Sequence, residues 1–182
     1  MKATETKLKG CFILEPTVFE DSRGYFFESY NENKLEEILG YKPTFVQDNQ
    51  SNSSYGVVRG LHMQAGEHAQ AKLVRVVEGA VIDVAVDVRP GSETYGQSVA
   101  VELSADNKRQ LFIPRGFLHG FSVISDSATF FYKCDNGYNK ASEDGVNPLD
   151  KEIGIDWGVP LEKMIISDKD QEAQSFQTFK TK

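Results

Sequence analysis

Cysteine, histidine and tryptophan are scarce in this chain of 182 residues, which holds two cysteines, three histidines and one tryptophan. Cys11 and Cys134 stand too far apart for a disulfide framework or a zinc ribbon, so two reduced, buried thiols are expected. His62, His68 and His119 are scattered and lack the close His-x-His pair that favours iron or manganese. No apolar run is long enough to cross a bilayer, and the opening Met1 to Lys7 has no apolar signal core; a cytoplasmic protein without membrane association is expected. Basic charge is also short, with 20 Lys and Arg against 27 Asp and Glu and a formal net charge of −7. That balance argues against nonspecific nucleic-acid binding, which needs a basic face. It leaves room for a small anionic ligand gripped by local arginines, and Arg23 and Arg59, each followed by glycine, are the candidates.

What is present is β-rich. Short runs of branched and aromatic residues occupy Cys11 to Leu14, Tyr25 to Tyr30, Thr44 to Val46, Val57 to Gln64, Lys72 to Val77 and Val81 to Val88. Further runs cover Ser98 to Leu103, Gln110 to Ile113, Leu118 to Ile124 and Ala128 to Lys133, with turn residues such as Glu78-Gly79 and Arg89-Pro90-Gly91-Ser92 between runs. Many short strands punctuated by turns predict a mainly β sandwich or jelly roll, two packed antiparallel sheets in one domain, 1–182. Helix is sparse: Asn31 to Leu39, stopped by Gly40, reads as one short amphipathic helix, and Val159 to Met164 as a second. The polar tail from Ser167 reads as a solvated terminus, Asp170 apart.

His62, inside Arg59-Gly60-Leu61-His62-Met63, and Lys72 are two basic groups of different pKa on adjoining strand-like runs. Together they suit proton abstraction beside a carbonyl, the imidazole taking the proton and the ammonium holding the negative charge that results. Taken alone, each has a plainer reading: a histidine in an apolar strand is more often a structural hydrogen-bonding residue, and a lysine at a strand end is more often solvated.

The wider set of motifs favours chemistry. Asp21-Ser22-Arg23-Gly24-Tyr25-Phe26-Phe27-Glu28, Gln47-Asp48-Asn49-Gln50-Ser51, Arg59-Gly60-Leu61-His62 and Lys72-Leu73-Val74-Arg75-Val76 follow one another in that order. They continue through Asp83 to Arg89, Ile113-Pro114-Arg115-Gly116-Phe117-Leu118-His119-Gly120-Phe121, Tyr132-Lys133, Tyr138 and Ser167-Asp168-Lys169-Asp170. The series resembles the dTDP-4-dehydrorhamnose 3,5-epimerases over about residues 10 to 170. The resemblance implies a cupin-type β jelly roll with a few short helices, and a substrate that is a dTDP-linked 4-keto-6-deoxyhexose. Its ketone acidifies the hydrogens on C3 and C5, and the route through an enolate requires no cofactor and no metal.

By the same resemblance, His62 is the general base, Asp170 its dyad partner, Lys72 the stabiliser of the enolate oxygen and Tyr132 the acid on the opposite face. Arg23 and Arg59 match phosphate-contacting positions, Phe26 and Glu28 thymine-contacting ones, Gln47 and Asn49 polar lining, and Tyr138 a further aromatic beside the nucleotide. His119 matches a position lining the sugar pocket, with Asp83 as its support. A homodimer that exchanges its N-terminal strand region is implied too, so that some of these residues serve the neighbouring site. The chain departs from the family pattern at Met63, which reads as packing, at Gly66-Glu67-His68, where His68 reads as a surface histidine, and at Cys134-Asp135-Asn136-Gly137-Tyr138 and Asn147-Pro148-Leu149-Asp150. Three alternatives stay open: a single-site 3- or 5-epimerase of a related nucleotide sugar, a metal-dependent cupin, and a noncatalytic sugar-nucleotide binder.

Overall fold

The structure is a computed structural model that describes residues 1–179. Its strands are β1 (Lys2–Glu5), β2 (Phe12–Glu15), β3 (Val18–Asp21), β4 (Gly24–Phe27), β5 (Gln47–Ser54), β6 (Val57–Gln64) and β7 (Lys72–Glu78). They continue with β8 (Ala80–Asp87), β9 (Ser98–Ser104), β10 (Gln110–Ile113), β11 (Phe117–Val123), β12 (Ser127–Cys134), β13 (Glu143–Gly145) and β14 (Ile165–Ile166). The helices are α1 (Glu32–Leu39) and α2 (Asp168–Gln171).

One sheet runs β1-β2-β10-β7-β12-β5 and the other β13-β6-β11-β8-β9, with β14 added to β6 in parallel and β3-β4 as a separate hairpin. This is the mainly β, cupin-type jelly roll expected. Alternation explains how the layers meet. Val74 and Val76 of β7, Leu111 and Ile113 of β10 and Phe130 of β12 face Val81 and Ala85 of β8 and Phe121 and Val123 of β11 across the gap between sheets. Residues of the opposite parity pack outward. Val84, Val86, Leu118 and Val58 are covered by Trp157, Phe176 and Phe179, while Leu14, Leu73 and Phe112 are covered by Leu35 of α1. Asn31 caps α1 by accepting from the Lys34 amide, and Gly40 closes it in the left-handed region at φ 75°.

The β8–β9 connection is built around one buried carboxylate. Asp87 accepts from the Arg89 amide (3.0 Å) and guanidinium (2.9 and 2.7 Å) and from the hydroxyls of Ser92 and Thr94, both at 2.6 Å. The Arg89 guanidinium in turn lies 4.6 Å from the Phe117 ring centroid.

Several expectations need correction. The segment after Ser167 is no solvated tail: α2 buries Asp170, and Phe176 and Phe179 close the second sheet's outer face. Thr44 to Val46 is not a strand; the strand begins at Gln47 and is polar throughout. It lies at the edge of its sheet, pairs with β12 alone, and has no apolar alternation to announce it. Val159 to Met164 yields a single 3-10 turn at Leu161–Lys163, which Pro160 starts. The run Tyr25 to Tyr30 stops as a strand at Phe27. Both thiols are free and buried, as expected. Among the described residues no helix is long and apolar enough to cross a membrane.

Candidate active site

A cavity of about 630 Å³ opens between the two sheets. Asn49 of β5, Lys72 of β7 and Tyr132 of β12 line it from the first sheet, and Arg59 and His62 of β6 with His119 of β11 from the second; Ser167, Lys169 and Asp170 stand at its rim. His62 and Lys72 are therefore on opposing sheets and face each other across the cavity, where the sequence had suggested adjoining strands.

Strand parity alone would not bring Arg59 and His62 to one face, since residues three apart on a regular strand point to opposite sides. A β-bulge supplies the extra residue. His119 pairs with His62 and Phe121 with Arg59, so Gly60 and Leu61 together oppose Gly120. Before the bulge Val58 points to the outer cluster; after it Leu61 and Met63 do. Glycine is required there because a Cβ on Gly60 would stand 2.6 Å from the Gly120 Cα, at φ +118°. Arg59 is then held by its Nε donating to Ser53 Oγ of β5 at 3.1 Å.

His62 Nε2 lies 2.6 Å from Asp170 Oδ1. The Asp170 carboxylate is 5 % exposed, fixed from behind by the Gly60 amide (3.4 Å), and its helix is capped by Ser167, whose hydroxyl accepts from the Asp170 amide at 3.2 Å. Burial pushes the Asp170 carboxyl upward, but the His62 hydrogen bond and charge, with the Gly60 and Ser167 contacts, outweigh it and hold the group below the ordinary carboxylate value. Across the cavity, burial lowers the Lys72 ammonium below the ordinary lysine range, opposed by the charges of Cys134, Asp83 and Glu143. Among the described residues Lys72 makes no ion pair with any carboxylate within 4.0 Å. Burial raises the Tyr132 phenol, which keeps its proton at neutral pH. Next to His62, the buried His119 turns its Nε2 to Asp83 Oδ1 at 2.8 Å. A base with an orienting carboxylate, a cation and a phenol thus converge on one cavity.

The family model for dTDP-4-dehydrorhamnose 3,5-epimerase matches residues 5–178. The chain belongs to the dTDP-4-dehydrorhamnose 3,5-epimerase family. It is 53 % identical over 171 residues to the dTDP-4-dehydrorhamnose 3,5-epimerase of Escherichia coli K12, covering 94 % of this chain and 92 % of that one. The crystal structure of the dTDP-4-dehydrorhamnose 3,5-epimerase of Elizabethkingia anophelis NUHP1 superimposes with a TM-score of 0.94 at 59 % identity, covering 97 % of both chains. The Legionella pneumophila Philadelphia 1 enzyme, solved in complex with dTDP-4-keto-L-rhamnose, also gives 0.94, at 45 % identity over 98 % of this chain and 94 % of that one.

Other residues matched to the dTDP-4-dehydrorhamnose 3,5-epimerases stand apart from this cavity. Arg23 and Phe26 lie on the β3–β4 hairpin, where Arg23 pairs with Asp21 and Phe26 is 70 % exposed, around a separate surface recess. Glu28 is engaged by Lys34 Nζ (2.8 Å) and Asn31 Nδ2 (3.1 Å). Gln47 binds Asn49 Oδ1 (3.0 Å) through its side-chain nitrogen and accepts from the Tyr138 amide (3.1 Å), tying the exposed Tyr138 beside the cavity without lining it. His68 is half-buried and bonded to Asn139 at 2.9 Å, where a surface histidine was expected. Met63 packs in the outer cluster as expected. Among the described residues no group of three His, Cys, Asp or Glu side chains could hold a metal ion.

Several contributors escaped the sequence reading. Ser53 orients Arg59 from a strand without apolar pattern. Glu143 accepts from Lys169 Nζ (2.8 Å) and from the Tyr138 hydroxyl (3.1 Å), linking the rim to β13. Ser167 had a legible signal, a serine three residues before an acid, which marks a helix start.

Proposed function

We propose that the chain is a dTDP-4-dehydrorhamnose 3,5-epimerase, an isomerase converting dTDP-4-keto-6-deoxy-D-glucose to dTDP-4-keto-L-rhamnose. The observation that carries this reading is His62 Nε2 at 2.6 Å from Asp170, in a cavity whose facing wall holds Lys72 and Tyr132.

An ionised carboxylate only accepts hydrogen bonds, so Asp170 accepts from the His62 Nε2–H and leaves Nδ1 bare as the base. His62 removes the hydrogen from a carbon next to the ketone, and Asp170 stabilises the imidazolium that forms. The electron pair moves onto the C4 oxygen, where the Lys72 ammonium balances the charge. The Tyr132 phenol returns a proton from the other face, inverting the centre. His62 then releases its proton to water and the Tyr132 phenolate takes one back, after which the same abstraction and return at the second carbon complete the double epimerisation; no step in this route calls for a metal or redox cofactor.

Arg59 is the cationic contact for the diphosphate within this chain's cavity. Arg23, Phe26 and Glu28 serve a neighbouring site in a homodimer that exchanges its N-terminal strand region, a reading supported by the projecting hairpin and the 70 % exposure of Phe26. Gln47, Asn49 and Tyr138 border the nucleotide, and His119 lines the sugar pocket. The protein acts as one domain in the cytoplasm.

Incubation of the purified protein with dTDP-4-keto-6-deoxyglucose in deuterium oxide, followed by mass spectrometry, tests the reading. Two deuterons at C3 and C5 are expected. One deuteron would make the chain a single-site epimerase, and none would exclude this substrate.

A further inference from the structure

Asp170 reaches His62 from α2, a helix of four residues. A single helical turn is costly to nucleate and does not hold its own place, so the 2.6 Å contact with His62 is set by what ties down the two ends of α2. The upstream end is held by the Ser167 cap and by Gln171 Nε2, which reaches back to donate to the Ile166 carbonyl at 2.9 Å. At the downstream end, the Gln171 carbonyl is one of the acceptors that a helix terminus leaves without an intrahelical partner. Asn147 meets it, with Nδ2 donating to that oxygen at 2.6 Å.

We propose that Asn147 is a positioning residue for the proton transfer, tying the end of α2 to the strand that carries His62 and so holding Asp170 at hydrogen-bond distance from the base. The inference rests on the proposed function, in which His62 and Asp170 form the catalytic dyad. Asn147 is not among the residues lining the cavity, so it acts through Asp170.

Three observations carry it. First, Asn147 is anchored on β6 itself. Val146, the residue before it, donates to the Leu61 carbonyl (3.0 Å) and accepts from the Leu61 amide (3.2 Å), extending the β13–β6 pairing that sets Gly145 opposite His62. Second, the carboxamide has one orientation, because Oδ1 accepts from the Leu149 amide at 2.8 Å and leaves Nδ2 to face Gln171. Third, the segment after α2 is laced to the same place: the Asn147 amide donates to the Gln174 carbonyl (3.0 Å), and Gln174 Nε2 returns to Asp144 Oδ1 of β13 (2.9 Å). Contacts thus close a ring from His62 through β13, Asn147 and α2 to Asp170. Asn147 falls in the Asn147-Pro148-Leu149-Asp150 segment, where this chain departs from its family's pattern, so no motif marks it.

A double-mutant cycle on the full chain tests the inference, reading kcat and KM for dTDP-4-keto-6-deoxyglucose in wild type, Asn147→Ala, Asp170→Asn and the double variant. A displacement of about 1 Å costs roughly 10²-fold, and Asp170 keeps its upstream ties, so Asn147→Ala is expected to lower kcat about tenfold with KM nearly unchanged. In the Asp170→Asn background the same substitution is expected to change kcat less than about twofold, since the carboxylate it positions is already gone. A wild-type kcat in Asn147→Ala would overturn the inference, as would an equal loss in both backgrounds, which is what a merely structural residue gives. Proton NMR supplies a readout independent of turnover. The His62 Nε2 proton, identified by its absence in His62→Ala, lies far downfield in the 2.6 Å contact and moves upfield in Asn147→Ala; an unmoved resonance would also overturn the inference. Should Asn147→Ala not fold, Asn147→Asp, which keeps an acceptor for the Leu149 amide and has no donor for Gln171, carries the same expectations. Failure of the proposed function is distinguishable, because it removes turnover from the wild type and leaves the resonance to decide.

Discussion

Replacing Asp170 by asparagine keeps the size of the side chain and removes the charge that faces His62. The carboxylate oxygen is 2.6 Å from Nε2, so the charge centres lie about 4 Å apart, where opposite unit charges at an effective dielectric of about 20 attract by about 4 kcal/mol. The His62 side chain is 36 % exposed, and screening by water brings that to about 3 kcal/mol for the imidazolium formed in the transition state. At about 1.4 kcal/mol per decade, Asp170→Asn loses about two orders of magnitude in kcat. The carboxamide can also turn its nitrogen to Nε2 and shift the ring proton to the wrong nitrogen, which deepens the loss. Because the interaction strengthens only as the proton arrives, the loss falls on kcat and leaves KM nearly unchanged. Steady-state kinetics on protein shown to be folded by circular dichroism measure it. A kcat within about threefold of wild type would refute the dyad, since such a change is worth well under 1 kcal/mol.

Three further outcomes follow from the same structure. Asp87→Ala leaves the Arg89 guanidinium and two hydroxyls without their shared acceptor and costs about 3–5 kcal/mol, a drop of about 6–20 °C in Tm by calorimetry; a drop below about 2 °C would contradict it. Asp87 is held below the ordinary carboxylate value by Arg89, Ser92 and Thr94 against the upward push of burial, and Asp170 is depressed as well. A depressed folded-state pKa means that the unfolded chain takes up the proton first, so this stabilisation is full above about pH 4 and drains as pH falls through the folded values; urea midpoints that stay flat from about pH 4 downward would contradict it. Lys72→Met lowers kcat by about 10²–10³, and the wild-type kcat declines at alkaline pH before the ordinary lysine value of 10.5, because burial favours the neutral amine; a decline beginning only above that value would contradict the role.

Much of this was legible in the sequence because the residues concerned sit in regular elements. Val81 to Val88 is a run of branched residues interrupted by two acids and became β8, and Gln110 to Ile113 became β10 without adjustment. The site was legible through its ordered motifs, His62, Lys72, Tyr132 and Asp170 meeting although they derive from four separate elements. What stayed hidden depended on irregular backbone or on polar strands. β5 carries no apolar residue for periodicity to detect, so its line of Gln47, Asn49 and Ser51 could be matched as a motif but not read as a strand. The bulge at Gly60 is a single-residue shift in pairing, visible only once β6 is laid against β11. The burial of Asp170 likewise depends on Phe176 and Phe179 packing over the second sheet, which does not follow from local polarity, although the Ser167 cap could be read from its spacing to Asp170.

The most direct test of the account is deuterium exchange at C3 and C5 of dTDP-4-keto-6-deoxyglucose, followed by proton NMR in deuterium oxide with wild-type protein and with His62→Ala. The account predicts loss of signal at both positions with the wild type and at neither with the variant. Exchange persisting in His62→Ala at the wild-type rate would show that another group is the base.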